Sequence, residues 1–152
     1  MLQNLSLESI PLFSVAAAMF LVYLPMGVVG YARARVGYDI SAPRAMFDKL
    51  PPYGQRATWA HQNGFETFGM FSAAALIAYV TQPHGDPWYF GLSGEEGVAL
   101  LCGVFLVGRL CYNLCYIADI PIGRSLSFLA GSLATLGLLL ISLLPLLQPG
   151  LA

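Results

Sequence analysis

The chain alternates long apolar stretches with short polar ones. Four stretches carry at most one charged side chain each, namely 9–32, 57–85, 97–118 and 125–152. A helix needs about 20 mostly apolar residues to cross a bilayer, and every stretch reaches that length. The stretches lack the period-2 alternation of a membrane β-barrel. The pattern therefore predicts four transmembrane helices, at about 10–32, 55–81, 97–117 and 124–147.

Proline and glycine divide the apolar stretches further. Pro25 lies inside the first predicted helix, where its missing N–H predicts a kink. Segment 82–96 is predicted to be a loop, with Trp88 and Tyr89 at the membrane interface. Pro121-Ile122-Gly123 is predicted to be a tight connection before the fourth helix.

The composition agrees with a membrane protein. Of 152 residues, 57% are hydrophobic and 10% are charged, against about 25% charged in a soluble domain. Mean hydropathy is +0.68. These values exclude a disordered chain, a basic nucleic-acid-binding protein and a secreted disulfide scaffold. We expect an all-α membrane protein, a four-transmembrane-helix bundle forming one domain over 1–152, with no nucleic acid as partner.

The start of the chain and its cysteines add two further expectations. The first apolar stretch follows Glu8 and has no basic residue before it, unlike a signal peptide. Cys102, Cys111 and Cys115 all lie in the third helix, with no His or carboxylate at ligand spacing beside them. We interpret the cysteines as buried apolar packing residues and predict no metal site.

The few basic residues predict the orientation. They gather between helices 1 and 2 and at the start of helix 4, as Arg33, Arg35, Arg44, Lys49, Arg56 and Arg124. Segment 82–96 has no Lys or Arg and contains Asp86, Glu95 and Glu96. Because cytoplasmic loops carry the excess of Lys and Arg, loops 1–2 and 3–4 are expected in the cytoplasm and both termini outside.

Two ionisable residues interrupt the predicted spans. Glu66 in helix 2 lies about 15 Å from Arg56 along the axis, at about 1.5 Å per residue. Arg109 in helix 3 lies about 12 Å from the same side of the membrane, so both residues are expected at similar depth. We predict that Glu66 and Arg109 pair. Such a pair either joins the two helices structurally or also lines a polar cavity.

Polar side chains form a stripe around each of these charges. One stripe on helix 2 contains Arg56, Asn63, Glu66 and Met70, and one on helix 3 contains Arg109, Tyr112 and Tyr116. Arg124 and Ser125 begin helix 4 at the same side. Because Arg binds carboxylates bidentately, the stripes indicate a pocket for a small anionic ligand. Apolar outer faces would admit a lipophilic small molecule from the lipid bilayer. Since four helices barely enclose such a pocket, a site between subunits is expected.

Two sequence blocks resemble the MAPEG family, the membrane-associated proteins in eicosanoid and glutathione metabolism. The first runs from Arg56 to Phe68 and is similar to the family's helix-2 signature. The second runs from Glu96 to Tyr116 and is similar to helix 3 of its leukotriene C4 synthase and prostaglandin E synthase branches. The resemblance covers about 10–147 and implies a homotrimer that binds glutathione between subunits, near the cytoplasmic side.

The resemblance also implies roles for individual residues. Glutathione would be bound by Asn63, Glu66, Arg109, Tyr112 and Tyr116, and by Arg33 or Arg35 through a carboxylate. Arg124 would stabilise the thiolate as the catalytic residue, with Ser125 as a second donor. The activity implied is a glutathione-dependent transferase or peroxidase acting on lipophilic electrophiles in the membrane.

Three positions depart from the family's pattern. Trp59 stands where the glutathione-binding members usually carry Arg, Gln62 where some members carry a basic residue, and Phe128 where some carry Tyr. Arg56 or His61 is the nearest substitute for a missing carboxylate anchor. These departures favour the alternative of a non-catalytic MAPEG-like protein, either lipid-binding or an accessory subunit of a larger membrane complex. A small transporter is disfavoured, because no pair of discontinuous helices is predicted.

Overall fold

A computed structural model describes residues 6–37, 39–83 and 91–147. The described chain forms four long helices: α1 (Ile10–Val36), α2 (Pro52–Thr81), α3 (Gly94–Ile117) and α4 (Pro121–Leu143). Short 3-10 turns lie at Leu7–Ser9, Phe47–Lys49 and Pro145–Leu147. Each long helix is long and apolar enough to cross a membrane. The prediction of an all-α protein with four candidate transmembrane helices is confirmed, and it fits an integral, multi-pass membrane protein.

The helix ends differ from those predicted, because polar residues take part in the terminal turns. α1 extends to Val36, since Arg33 and Arg35 occupy its last turn, where cations stabilise the helix terminus. Gly37 then ends it at a φ of 81°. At the start of α2, Pro52 occupies the first turn, where a missing N–H leaves no hydrogen bond unmade.

The predicted loop 82–96 is wrong over its last residues. Ser93 accepts a hydrogen bond from the Glu96 backbone N–H at 3.2 Å, and the Glu96 carboxylate accepts from Ser93 N at 2.8 Å. This capping box starts α3 at Gly94, with Glu95 in its first turn. Asp86, Trp88 and Tyr89 lie outside the described residues.

The connection predicted before helix 4 is also wrong, because Pro121-Ile122-Gly123 forms the first turn of α4. The link from α3 is confined to residues 118–120. Arg124 thus lies one turn inside the helix. At the other end, α4 stops at Leu143 and a 3-10 turn follows from Pro145, which cannot continue a helix.

Packing divides the bundle into two apolar layers separated by a polar one. The larger layer centres on Phe71 and Phe105, whose rings stack 3.7 Å apart. The smaller one contains Val29, Ala32, Leu50 and Ala57. Asn63, Thr67, Arg109 and Asn113 lie between these layers along the helices. The interior is thus built to hold a few polar groups at one depth.

The expectation of buried cysteines holds for Cys102 alone. Cys102 packs in the larger apolar layer. Cys111 is exposed and Cys115 is half-buried. The prediction is therefore wrong for Cys111, because its position on α3 faces outward from the described chain.

Candidate functional site

The candidate site lies near one end of the bundle, where α1 and α3 end and α2 and α4 begin. We call this the basic end. It carries most of the cations, namely Arg33, Arg35, Arg44, Lys49, Arg56 and Arg124. The polar layer lies a few helical turns further in, so the two groups of polar residues are close along the axis.

Arg109 and Glu66 are joined through a third residue. Arg109 Nη2 donates to Asn63 Oδ1 at 2.9 Å, and Asn63 Nδ2 donates to Glu66 Oε2 at 3.3 Å. Within the described residues no direct ion pair joins the two charges. The predicted direct pair is therefore replaced by a bridge, since Asn63 precedes Glu66 by almost one turn and lies between them. Arg109 is 4% exposed, whereas Glu66 is exposed on the chain.

Two cations and two phenol rings form a continuous ladder from the interior to the basic end. The Arg109 guanidinium lies 4.1 Å from the Tyr112 ring centroid. The Tyr112 and Tyr116 rings are 5.4 Å apart, edge to face. The Arg124 guanidinium lies 4.8 Å from the Tyr116 ring centroid. We call this set the Arg–Tyr ladder. It follows from the i, i+3, i+7 spacing on α3 and the first turns of α4 beside it.

Arg56 is engaged at the end of α3. Its Nε donates to the Ile117 carbonyl at 3.1 Å, and its Nη1 forms an ion pair with Asp119 at 3.2 Å. These contacts satisfy a terminal helix carbonyl and fix α2 against the α3–α4 link. The interactions of Arg56 with protein thus compete with any role as a ligand anchor.

The remaining predicted residues lie at the basic end but outside the ladder. Arg35 stacks over Tyr31 of its own helix, 5.8 Å from the ring centroid. Arg33 lines a surface groove with Arg44. Ser125 is exposed next to Arg124 in the chain. The structure of the single chain therefore connects Asn63, Glu66, Arg109, Tyr112, Tyr116 and Arg124 through contacts, and leaves Arg33, Arg35 and Ser125 outside this group.

A carboxylate in the loop between α1 and α2 accompanies these cations. Asp39 accepts from the Ser41 hydroxyl at 2.6 Å and from Ser41 N at 2.9 Å. These hydrogen bonds lower the pKa of Asp39 below its ordinary value. Asp39 therefore stays ionised at neutral pH.

An apolar groove of about 440 Å³ leads to the buried end of the ladder. It runs between α2 and α4 over α3, and its walls include Met70, Phe105, Phe128 and Leu136. Arg109 and Thr67 also line it. A lipophilic molecule could thus reach a guanidinium without leaving the apolar layer of the bundle.

Two polar residues bind backbone of α1 in a way that the sequence pattern did not predict. His61 Nδ1 lies 2.7 Å from the Val22 carbonyl oxygen and must donate to it, because a carbonyl only accepts. Asn113 Nδ2 donates to the Leu21 carbonyl at 2.9 Å. The available signal was Pro25, whose missing N–H leaves the Leu21 carbonyl without its helical donor.

Comparison with protein-family models matches residues 10–144 to the MAPEG family. Comparisons with curated proteins and with solved structures gave no match. The family match covers nearly the whole chain and contains every residue of the Arg–Tyr ladder. The chain therefore belongs to the MAPEG family, and this membership supports a role in glutathione or eicosanoid metabolism at the membrane.

Proposed function

We propose that the protein is a glutathione-dependent transferase or peroxidase that acts on lipophilic electrophiles in the membrane, through one MAPEG-like domain over 1–152. The Arg–Tyr ladder carries the proposal. It aligns two guanidinium groups and two phenol hydroxyls between the basic end and an apolar groove.

Glutathione offers two carboxylates, an ammonium and a thiol, and the chain offers matching groups. Glu66 is a carboxylate suited to the ammonium, and Asn63 fixes it beside Arg109. Arg109, Tyr112 and Tyr116 supply donors along the peptide. Arg33 or Arg35 at the end of α1 would bind a carboxylate, with Arg56 as a further cation whose contacts to Ile117 and Asp119 must then be shared.

Arg124 is the proposed catalytic residue. It lies at the more exposed end of the ladder, with its guanidinium held over Tyr116. A cation beside a thiol lowers the thiol pKa from about 8.5 and so favours the nucleophilic thiolate. Ser125 is the proposed second donor. In conjugation the thiolate sulfur forms a bond to the electrophilic carbon as that carbon's leaving group departs, or as an epoxide opens and takes a proton.

The apolar groove supplies the second substrate. A lipophilic electrophile would enter from the bilayer between α2 and α4 and lie along Met70, Phe105 and Phe128. The groove reaches Arg109 at the buried end of the ladder and Phe128 on α4, one helical turn after Arg124. This arrangement keeps the electrophile in an apolar environment until it meets the thiolate.

A homotrimer with the site between subunits is supported by one face of α2. Seven exposed residues follow alternating spacings of three and four: Trp59, Gln62, Glu66, Gly69, Ala73, Leu76 and Val80. Such a seam is typical of helices that pack on each other. Glu66 on this face would otherwise meet lipid, where a carboxylate is unfavourable by about 2.5–3.5 kcal/mol. Self-association through α2 would cover it.

The positive-inside rule places the basic end in the cytoplasm and both termini outside. Glutathione would then reach the site from the cytoplasm. This orientation puts the hydrophilic and lipophilic substrates on different routes to the same ladder.

Trp59 supports an alternative function. Its ring lies 5.6 Å from Phe47 and 6.5 Å from Tyr116, so an apolar indole borders the exposed end of the ladder. This environment weakens anion binding and suits a lipid. The alternative is a non-catalytic MAPEG-like protein that binds lipid or serves as an accessory subunit of a larger membrane complex.

The two functions are separated by titrating the purified protein with glutathione in calorimetry and by assaying conjugation to chlorodinitrobenzene. We expect saturable binding and turnover.

Arg124→Ala should lower kcat by about 10²–10³-fold, as for loss of a group that stabilises developing charge. Glu66→Gln should mainly weaken binding. Lys49→Ala, a charge removed outside the ladder, serves as the control. No heat and no turnover at millimolar glutathione would favour the alternative.

A further inference from the structure

A proline in α1 and an asparagine in α3 meet inside the bundle. Pro25 has no backbone N–H, so the Leu21 carbonyl loses the donor that an uninterrupted helix would supply. Asn113 supplies a replacement, since its Nδ2 donates to this carbonyl at 2.9 Å. One half of the Asn113 amide is thus committed to α1.

The other half of the amide has no partner among the described residues. Asn113 is 2% exposed, and its Oδ1 accepts no hydrogen bond there. Exchanging the amide oxygen and nitrogen would set two acceptors against each other at Leu21. Buried polar atoms in folded proteins are nearly always satisfied, by protein or by an internal water. Asn113 Oδ1 therefore points to a bound donor.

A small cavity lies at the same place. Its walls include Leu21, Thr67, Arg109 and Asn113, and it leaves about 10 Å³ for the centre of a water molecule. An internal water needs about one water-sized sphere of space and two to four polar partners. Asn113 Oδ1 is an acceptor and the Arg109 guanidinium is a donor. Thr67 directs its proton to the Asn63 carbonyl at 3.0 Å, which leaves its hydroxyl oxygen free to accept.

We propose that this cavity binds one internal water, held between Asn113 Oδ1 and the Arg109 guanidinium, and that Asn113 is a positioning residue for Arg109. The water accepts a hydrogen bond from an N–H of Arg109 and donates one to Asn113 Oδ1. Arg109 is then fixed on two sides, to α2 through Asn63 and to the Pro25 region of α1 through the water and Asn113. This site belongs to the fold of the single chain and exists with or without glutathione.

The direct test is a high-resolution experimental structure of the wild-type protein in lipid nanodiscs. We expect density for one water within about 3 Å of Asn113 Oδ1 and of an Arg109 nitrogen. A map that shows other ordered internal waters but none at this position would overturn the proposal.

The positioning role is tested in a Pro25→Ala background. The introduced alanine restores the N–H for the Leu21 carbonyl, so Asn113→Ala then removes the acceptor of the water without adding volume at this buried position. We expect the substitution to lower the unfolding midpoint in this background and to shift the Arg109 Nε–H signal in NMR spectra. This signal is assigned to Arg109 by its loss in the Arg109→Lys variant. If Asn113 serves Leu21 alone, Asn113→Ala will leave the Arg109 Nε–H signal unchanged there, and any loss of stability will come from packing. Neither readout involves glutathione, so a negative result for the water site would leave the proposed function untouched.

Discussion

Asn63 on α2 accepts a hydrogen bond from Arg109 on α3, with 2.9 Å between Oδ1 and Nη2. The guanidinium is buried, so this amide is a main polar partner across the helix interface. We expect Asn63→Leu to destabilise the protein by about 1–3 kcal/mol, because it leaves a buried donor unsatisfied. Reversible unfolding in detergent micelles, followed by circular dichroism, measures the change.

Glu66→Gln is the matched control for this bridge. The substitution removes the charge, but the new side-chain carbonyl can still accept a hydrogen bond from the Asn63 amide, so we expect a smaller loss of stability. If Glu66→Gln destabilises the protein as much as Asn63→Leu, then the charge of Glu66 acts on Arg109 directly and the bridge through Asn63 is secondary.

The hydrogen bond of His61 leads us to expect different stabilities for two amide substitutions at this position. Its Nδ1 donates to the Val22 carbonyl at 2.7 Å. Asn places an amide nitrogen near the position of Nδ1, whereas Gln places it further out. We expect His61→Asn to retain more stability than His61→Gln, by about 1 kcal/mol, the usual net value of one hydrogen bond. Equal losses in unfolding experiments would show that ring packing against Tyr23 and Phe65, rather than the hydrogen bond, makes His61 important.

The sequence was sufficient for the helices but not for their ends. Backbone polar groups must be satisfied within a membrane, so long apolar runs permit little besides helices. The ends were missed because charged and proline residues were assigned to loops. Glu96 instead closes a capping box, and Pro121 occupies the first turn of α4.

The depth of the candidate site was also predictable, whereas its contacts were not. Counting residues placed Glu66 and Arg109 in one layer, because the rise per residue in a helix is fixed. Counting does not fix how each helix is rotated about its axis. The bridge through Asn63 and the Asn113 contact with α1 depend on that rotation, so they required the structure.

Gly108 predicts a packing requirement between α3 and α4. A Cβ at Gly108 would lie 3.2 Å from the Ser127 carbonyl oxygen and 3.4 Å from Gly131 N, both backbone atoms. Small residues allow membrane helices to approach this closely. We expect Gly108→Ala to destabilise the protein by about 1–3 kcal/mol, as overpacking does.

Gly103→Ala on the same helix is the control, because a Cβ there meets no atom within 4 Å. We expect it to be neutral or to stabilise α3 by up to about 1 kcal/mol. Unfolding midpoints that fall equally for both variants would mean that glycine itself, rather than the α3–α4 contact, is needed in α3.

Three substitutions of Asp119 are expected to differ in stability in a definite order. It adopts a left-handed φ of 63° just after α3 and pairs with Arg56. Asp119→Gly relieves the backbone strain but removes the exposed ion pair, which is worth about 0–1 kcal/mol. Asp119→Ala removes the pair and keeps a Cβ in the left-handed region, unfavourable by about 1–2 kcal/mol.

We therefore expect the Ala variant to be less stable than the Gly variant, with Asp119→Asn between them, since Asn tolerates this conformation. The three unfolding free energies check the order. An Ala variant as stable as the Gly variant would show that the α3–α4 link changes conformation when Arg56 is released.

Gly69 predicts where the subunits of the proposed trimer meet. It lies in the middle of the exposed α2 seam, four residues before Ala73, and a Cβ at Gly69 meets no atom of its own chain within 4 Å. Gly69→Leu should therefore leave the fold of the single chain intact but block close approach of neighbouring α2 helices. We expect native mass spectrometry to show a shift from trimer to monomer.

Gly27→Leu on α1, equally open in the single chain, is the matched control and should stay trimeric. A trimer that tolerates Gly69→Leu as well as it tolerates Gly27→Leu would place the subunit contact on a face other than α2, and Glu66 would then need a different partner to be shielded from lipid.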